Sequence, residues 1–576
     1  MDYMKKIIVL LLISVVMLFS KEFEKLEFAG KGIDFLMGTF SSSNLYKVIG
    51  KPYPPFYTPW RDDPIFDDGD MEKYEEHITD YFNSHGYYNV ELNSSVSADK
   101  IVINIHKNAP IKIKEIKVHP TSKLVRYLPY KEGDVFTTEG FKTSKKSIER
   151  ALLENGYPRY SFDAKAYVDL DLYEVKLDYK ADKNMSVKLS DSFIEGREDV
   201  DEEIIKEAIT YKNGDRYDIR ELEKTYDNIY EYGVYDYITV EPRVDENGSI
   251  VPVDIKLKMG NTKFIKNSFG YNTDTGARGS LSWIDKNFFG NLKVFDIGLI
   301  VSQQGYEIYN TFYNPRIILP YIGKIDFKNE INYHLIKYDS FDERGWVNRV
   351  TLGKKAFGLE HYFGLLTESS KITSKVAGTE DESGSYFINS LFYRLLVDKR
   401  DSMVNAKNGY YASLYIERSD KAIGSDLNYL KALVELRYIK SYLHNKLTFG
   451  LKTRIGSINS DVPTFKRFYT GGSITNRGYN FQQLGEKDAK GVPRGGVSLI
   501  DVLSEVRYEV YPKLSGVLFY DSSMISLEPH NFSDDFYDSW GVGMRYLTPI
   551  GPFRLDFGFP RDENDWTFHV SIGQVF

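Results

Sequence analysis

The final stretch of the chain, WTFHVSIGQVF (566–576), decides the fold class because its residues alternate in polarity. With the exception of Gln574, one face carries large apolar side chains: Trp566, Phe568, Val570, Ile572 and Phe576. The other face carries Thr567, His569, Ser571 and Gly573. A strand of this kind is typical of a membrane-spanning β-barrel, which presents apolar residues to lipid and polar residues to its interior. A soluble sandwich could hold one such strand, so the remaining sequence has to distinguish the two.

The composition agrees with alternating strands and excludes several function classes. Aromatic residues make up 15% of the 576 residues, yet the mean hydropathy is negative at −0.39, as expected for strands that are apolar on alternate residues only. The net charge of −8 and the lack of a basic block do not favour nucleic acid as a partner. Cysteine is absent, which excludes disulfides, thiolate metal clusters and thiol nucleophiles.

The N-terminus has the pattern of an export signal. Lys5 and Lys6 precede a thirteen-residue apolar run (7–19), and the small Ser20 follows it. A spanning helix needs about 20 apolar residues, so this run is too short to be one. The sequence therefore predicts a signal peptide at 1–20.

Between the signal and residue 260, a unit of helix, glycine and strand occurs three times. The glycines are Gly86, Gly156 and Gly233, each at the end of an amphipathic helical pattern, where the left-handed conformation of glycine terminates a helix. The pattern predicts three α+β modules at 22–110, 111–182 and 183–260. Their sheet edges could pair with other polypeptides, although a simple spacer is an open alternative.

After residue 260 helical periodicity disappears, and the chain alternates between strands and turns to its end. About sixteen strands fit between residues 263 and 576, at roughly 20 residues for each strand with its loop, and a membrane-spanning strand takes about 9 to 11 of them. The sequence therefore predicts an all-β, 16-stranded antiparallel transmembrane barrel over 262–576. An even number of strands places both ends of the barrel on one side of the membrane.

One connection in the barrel, 457–494, is much longer than the others and contains FYTGGSITNRGYN (468–480). Five of its residues resemble the inward-folded loop motif of the BamA/TamA superfamily of outer-membrane assembly proteins: Gly471, Gly472, Arg477, Gly478 and Tyr479. GYNTDTGARGSLSW (270–283), VDKRDSMVNAKNGYY (397–411) and the closing hairpin around GPFRLDFGFP (551–560) are similar to other segments of that family. The three modules resemble its POTRA domains, and three is the number in TamA-type members, where BamA commonly has five.

The resemblance implies that Arg477 enters the barrel lumen and pairs with Glu505 and Asp521, because a guanidinium fork suits two carboxylates. Alternation in LIDVLSEVRYEVY (499–511) turns Glu505 inward, whereas Asp521 shares the parity of apolar residues and its direction stays open. The three motif glycines would serve tight turns and Tyr479 would pack against the barrel wall. An arginine on a solvated loop is the alternative.

The family resemblance also implies a function. It predicts an outer-membrane insertase or translocation factor, with its modules in the periplasm, that assists β-barrel proteins such as autotransporters. Clients would add at a lateral seam between the first and last strands, whose expected residues are Lys263, Phe264, Asn267, Phe269, Gly573 and Phe576. Expected partners are outer-membrane lipid, unfolded outer-membrane proteins and an inner-membrane or periplasmic assembly partner.

Three alternatives stay open: a general BamA-type assembly factor, a two-partner secretion exporter and a passive porin. No catalytic motif or nucleophile elbow is present in the sequence, so we expect no enzyme and no cofactor. The acidic stretch RDDPIFDDGD (61–70) lacks the spacing of a calcium loop, and we expect a solvated linker there rather than a metal site.

Overall fold

The computed structural model describes residues 22–31, 33–34, 38–54, 61–97, 99–120, 122–244, 248–549, 551–563 and 565–573. The predicted signal peptide and Phe576 lie outside these residues. Among the helices in these ranges, none has the length and apolar composition needed to span a membrane.

The chain divides into two compact units. The first comprises Met1–Glu195, Glu207–Asn228 and Thr239–Lys256, and the second comprises Gly196–Lys206, Ile229–Ile238 and Leu257–Phe576. Two segments of the predicted third module therefore group with the barrel.

The part before the barrel contains three small three-stranded sheets with helices, in the strand orders β2-β5-β4, β6-β8-β7 and β10-β11-β9. The elements are β1 (Glu22–Phe23), β2 (Leu26–Ala29), α1 (Ser42–Val48), β3 (Phe66–Asp67), α2 (Met71–Ser84), β4 (Glu91–Val96), β5 (Ile101–His106), β6 (Lys112–His119), α3 (Thr138–Glu154), β7 (Ser161–Asp169), β8 (Glu174–Asp182), β9 (Lys188–Glu195), α4 (Glu202–Ala208), α5 (Ile219–Tyr230), β10 (Tyr235–Pro242) and β11 (Ile250–Met259). Each sheet contains one parallel pair, namely β2 with β5, β6 with β8 and β9 with β11. This shared pairing accounts for the sequence repeat.

Helix α2 illustrates why these segments fold as they do. Tyr74, Ile78 and Phe82 recur every four residues and are buried against the sheet, so the apolar face of the helix covers the sheet. Gly86 follows the helix at φ +90°, and the glycines after α3 and α5 have φ of +87° and +62°. All three therefore adopt the left-handed conformation that the sequence predicts.

The rest of the chain forms one 16-stranded antiparallel sheet in which each strand pairs with the next along the sequence. Its strands are β12 (Lys263–Asn272), β13 (Gly276–Asp285), β14 (Val294–Ser302), β15 (Gly305–Leu319), β16 (Gly323–Lys337), β17 (Phe341–Ala356), β18 (Leu359–Ser374), β19 (Gly384–Asp398), β20 (Gly409–Ser419), β21 (Tyr429–Tyr442), β22 (Leu447–Ile458), β23 (Ser498–Tyr511), β24 (Leu514–Ser526), β25 (Tyr537–Thr548), β26 (Gly551–Pro560) and β27 (Thr567–Ile572). The predicted strand number is confirmed, and the sheet curves into a nearly closed barrel.

Burial along the strands follows the predicted alternation. On β23 the side chains of Glu505 and Arg507 are buried, whereas Val506 and Tyr508 are exposed on the outer surface. On β27 the polar His569 is buried and its neighbour Phe568 is exposed. Apolar residues therefore face lipid and charged residues face the lumen, as a transmembrane barrel requires.

Candidate functional site

The long loop between β22 and β23 (459–497) folds into the lumen. Gly471 and Gly472 have φ of +100° and +116°, a conformation that other residues rarely adopt, and they reverse the chain at its inner end. A Cβ on Gly471 would lie 2.6 Å from the carbonyl oxygen of Asn480, so the turn leaves no room for a side chain. These two glycines have the turn geometry that the sequence predicts.

Gly478 lies in a tight turn that is closed by a hydrogen bond from the Tyr479 N–H to the Asn476 carbonyl oxygen at 3.3 Å. Its φ lies outside the left-handed region, but a Cβ at this position would stand 2.3 Å from the Cβ of Ser539 on β25. The small residue is therefore needed for close approach of the loop to the wall. Tyr479 is 7% exposed, and its ring meets Tyr537 edge-on with 6.0 Å between centroids.

Arg477 lies fully buried between two carboxylates from neighbouring strands. Its Nε and Nη2 each donate to Asp521 of β24 at 2.8 Å, and its Nη1 donates to Glu505 of β23 at 2.5 Å. The guanidinium carbon also lies 3.7 Å from the ring centroid of Phe519, close enough for a cation–π interaction. The structure therefore brings together the three residues that the motif resemblance implies, and it turns Asp521 inward.

Electrostatics keep Arg477 charged despite its burial. Burial alone would lower the pKa of the guanidinium, but the charge and hydrogen bonds of Asp521, followed by the charge of Glu505, raise that pKa above its ordinary value. The ion pair is shielded from water, and Arg477 donates two parallel hydrogen bonds to Asp521. Each of these hydrogen bonds is therefore stronger than its counterpart in water. The loop is thus held by an ion pair that water does not reach.

Further charged residues of the wall extend this network. Glu505 also accepts from Arg545 at 2.9 Å and lies 2.7 Å from Nε of Arg507. Arg545 donates in turn to Asp556 at 2.7 Å, and Arg554 donates to the same carboxylate at 2.9 Å. All of these side chains are at most 6% exposed. The network spans β23 to β26 and couples four wall strands to the loop.

The loop has a second attachment on a distant part of the wall. The ammonium of Lys466 contacts the carboxylate of Glu368 on β18, and the backbone N–H of Thr464 donates to Glu382 at 2.6 Å. Arg467 also reaches Glu382, at 3.2 Å. The loop is therefore tied to two sections of the barrel wall, and this second section was not predicted from the sequence.

The seam between the first and last strands differs from every other strand boundary. Strand β12 pairs with β13 along its whole length, from Lys263 opposite Asp285 to Asn272 opposite Gly276. Within the described residues no ladder joins β12 to β27. The predicted seam residues Lys263, Phe264, Asn267 and Phe269 are all exposed, and Phe269 is 88% exposed. Gly573 donates its N–H to Pro552 on the other side of β27.

Comparison with known proteins identifies the family. The Omp85 superfamily domain matches residues 258–576, which is more than half of the chain. The chain belongs to the Omp85 superfamily. A POTRA family, described as a surface antigen variable number repeat, matches residues 109–184, the region of the second sheet. For an Omp85 protein with these modules, the barrel resides in the outer membrane and the modules in the periplasm.

Several relatives of this Omp85 chain carry the same name. Outer membrane protein assembly factor BamA of Nitratidesulfovibrio vulgaris is 23% identical over 77% of this chain and 58% of its own length. BamA of Neorickettsia risticii is 21% identical over 77% of this chain and 61% of its own length. The chain thus spans about three fifths of these two relatives.

Solved structures support the Omp85 fold. The crystal structure of BamA from Haemophilus ducreyi lacking POTRA domains 1–3 superposes with a TM-score of 0.61, at 14% identity, over 80% of this chain and 99% of that chain. At this identity the likeness concerns the fold alone. Among the residues that the structure describes, no group of three or more His, Asp or Glu side chains is placed to hold a metal ion, and the solvated linker at 61–70 stays a prediction.

Proposed function

We propose that this chain is an outer-membrane protein assembly factor, which admits unfolded β-barrel clients at the seam between β12 and β27. One observation carries the proposal: the outer edge of β12 has no ladder partner in the described structure, although hydrogen-bonded ladders join the strands at the fifteen other boundaries of the sheet. The names of the relatives agree with this function.

The physical reason for a seam lies in the cost of exposing a backbone to lipid. Each unpaired N–H or C=O group in hydrocarbon costs several kcal/mol, so a client strand needs a hydrogen-bonding partner before it enters the bilayer. The edge of β12 offers such a partner by β-augmentation. Because β12 is ten residues long, it could pair with one membrane-spanning client strand of about 9 to 11 residues.

The luminal loop would hold the rest of the barrel rigid while the seam opens. The Arg477 network joins β23, β24, β25 and β26, the strands that lead to the seam from the C-terminal side. A passive porin has no need of an occupied lumen or an unpaired edge, and both features speak against that alternative. The exporter alternative stays a prediction without a specific observation in its favour.

A finer assignment concerns the clients. We propose a TamA-like role in assembling autotransporters, because three small α/β sheets precede the barrel and three modules resemble the TamA pattern. A general BamA-type role is the alternative. Assembly of an autotransporter and of a simple porin, compared in vesicles containing the purified chain, distinguishes the two: a TamA-like factor accelerates only the first.

Site-specific crosslinking tests the seam directly, since the chain has no cysteine of its own. Asn267→Cys on β12 is exposed and lies on the outward face, opposite Leu281. We expect this cysteine to form a disulfide with a cysteine in the last strand of a client during assembly in vesicles. Asn348→Cys on β17, a strand that is paired on both sides, is the matched control and should give none.

The outcome is informative in both directions. A crosslink at Asn267 that depends on the position of the client cysteine would support strand addition at the seam. Failure to crosslink from Asn267 and from neighbouring β12 positions, in a barrel shown to be folded, would exclude that mechanism.

A further inference from the structure

His569 lies where the last strand, the first hairpin and the luminal loop meet. Its side chain is 2% exposed. Its Nε2 is 3.1 Å from the carbonyl oxygen of Arg477 in the loop. Its Nδ1 is 3.5 Å from the carboxylate of Asp274 and 3.3 Å from the hydroxyl of Thr273, both in the turn between β12 and β13. The imidazole, which belongs to the last strand, thus contacts both the luminal loop and the first hairpin.

The partners of the two ring nitrogens differ in chemistry. A carbonyl oxygen only accepts hydrogen bonds, so Nε2 carries the proton that it donates to the Arg477 carbonyl. Nδ1 faces the Thr273 hydroxyl, which can donate or accept, and the Asp274 carboxylate, which accepts when ionised. The imidazole therefore joins the loop on one side and the turn after β12 on the other.

Asp274 is itself held in place by the loop. Its carboxylate accepts from the backbone N–H of Ser473 at 3.0 Å and from the Ser473 hydroxyl at 2.6 Å. Burial would raise the pKa of this carboxyl, but the hydrogen bonds from His569 and Ser473 lower it below its ordinary value. The first hairpin is therefore tied to the loop through Ser473 and to the last strand through His569.

The other charged groups near the imidazole already have partners. Asp556 lies directly opposite His569 in the β26–β27 ladder, and it accepts from Arg545 and Arg554. The guanidinium of Arg477 points away toward Asp521, so only its carbonyl meets His569. Asp274 is thus the carboxylate that faces the imidazole.

Hydrogen bonds across the seam are confined to this corner. Within the described residues, the backbone N–H of Thr273 donates to the carbonyl of Val570 at 3.2 Å, and the N–H of Val570 is 3.4 Å from the Thr273 hydroxyl. These two bonds and the His569 contacts are the cross-seam bonds of that region. The remainder of β12 has no such bond.

We propose that His569 is the positioning residue through which the luminal loop keeps the seam closed. Asp274, Ser473, His569 and the carbonyl of Arg477 form a unit that we call the clasp. When the loop leaves, the clasp loses Ser473 and the carbonyl together, so Asp274 and His569 lose the contacts that position them, while the bonds of Thr273 with Val570 remain. The consequence for client entry rests on the proposed function, but the clasp itself does not.

The test measures seam opening without any client. Ser571→Cys on β27 places a thiol at a position that is 7% exposed, beside a cavity of about 400 Å³ behind the seam. A bulky maleimide should label it only when the seam opens. Ser390→Cys, a fully buried position on β19, serves as the reference reporter away from the seam. Both reporters are measured in the full-length folded chain in vesicles.

His569→Gln keeps a donor for the Arg477 carbonyl but removes the ring nitrogen that faces Asp274. Loss of a hydrogen bond to a charged group corresponds to about a tenfold change in an equilibrium, so labelling at Ser571→Cys should rise about tenfold. The matched control is His334→Gln, which removes another buried luminal histidine, 3.3 Å from Glu343 on β17. It should leave labelling of Ser571→Cys unchanged.

A double variant separates the clasp from general loosening. Asp274→Asn should also raise labelling at Ser571→Cys relative to the reference reporter. The double variant with His569→Gln should label no faster than the faster single variant, because both changes remove one interaction.

The proposal is overturned if His569→Gln changes labelling less than twofold, if His334→Gln has the same effect, or if the double variant labels faster than the faster single variant. Should His569→Gln fail to give the heat-modifiable folded form, Asp274→Asn carries the same test. Client assembly is scored separately. If the labelling results support the clasp but the chain does not assist client assembly, the proposed function is wrong and the inference about the clasp still stands.

Discussion

Arg477→Ala is the substitution with the largest expected effect on the luminal loop. In the parent, the arginine side chain supplies two hydrogen bonds to Asp521 and one to Glu505. Glu505 retains Arg545 and Arg507 after the substitution, whereas Asp521 keeps only the backbone N–H of residue 477. The variant therefore leaves one buried carboxylate with a single donor, which is the costly outcome of breaking a buried ion pair.

The expected size of the effect follows from the different numbers of partners that Glu505 and Asp521 retain. Removing one partner of a buried ion pair costs about 3–5 kcal/mol, and the retained partners of Glu505 favour the lower end. Since about 1.4 kcal/mol corresponds to a tenfold change, the fraction of chains with a released loop should rise about 100-fold. Arg477→Lys keeps the charge but not the fork, and we expect about a tenfold rise.

Thiol labelling measures this release. Leu484→Cys places a reporter in the loop at a position that is 1% exposed, so its labelling rate reports undocking. Arg437→Ala is the matched control, because Arg437 pairs with Glu435 on the same wall strand and has no contact with the loop in the described network. If Arg477→Ala labels within threefold of the parent while the barrel remains heat-modifiable, the buried pair does not hold the loop.

Other substitutions in the lumen should also undock the loop and raise the labelling rate of Leu484→Cys, each by a different route. Gly558→Ala would place a Cβ 2.0 Å from the carbonyl oxygen of Arg477 and should raise labelling at least tenfold, whereas Gly516→Ala has its nearest neighbour atom 3.9 Å away and should be silent. Equal labelling of the two variants would contradict the close approach. Phe519→Leu removes the ring under the guanidinium, and the loss of a cation–π interaction of about 1–2 kcal/mol should make labelling about 5- to 30-fold faster; an unchanged rate would rule out the ring contact. Lys466→Met leaves Glu368 buried without its ammonium partner and should increase labelling by tenfold or more, a result that a purely local role of Lys466 would not give.

Strand alternation made the barrel predictable. The sixteen strands follow from polarity with a period of two residues, because lipid and lumen impose opposite requirements on successive side chains. The same rule left Asp521 undecided, since Val517 and Phe519 share its parity and look like lipid-facing residues. All three point inward. The lumen at this level is filled by the loop rather than by water, so apolar residues are stable there.

The wider charge network was harder to predict from the sequence, because some of the residues that pair lie far apart along the chain. Arg554 and Asp556 could have been found, because both lie on the polar face of GPFRLDFGFP (551–560). The contact of Lys466 with Glu368 could not, since 98 residues separate them and their pairing depends on how an irregular loop crosses the lumen. Alternation gives the direction of a side chain but not the partner that an irregular segment brings to it.

The unpaired seam between β12 and β27 explains why the loop is attached to the barrel wall at two places. In a closed barrel, hydrogen-bonded ladders hold the sheet around its whole circumference. Here the ladder is interrupted between β12 and β27, so the wall on either side of the seam lacks support from its neighbour. The loop supplies a connection through the interior instead, from Glu368 on β18 to Asp521 on β24. Because the same segment also contacts Asp274 and His569, undocking it would remove the internal support and weaken the clasp in a single step.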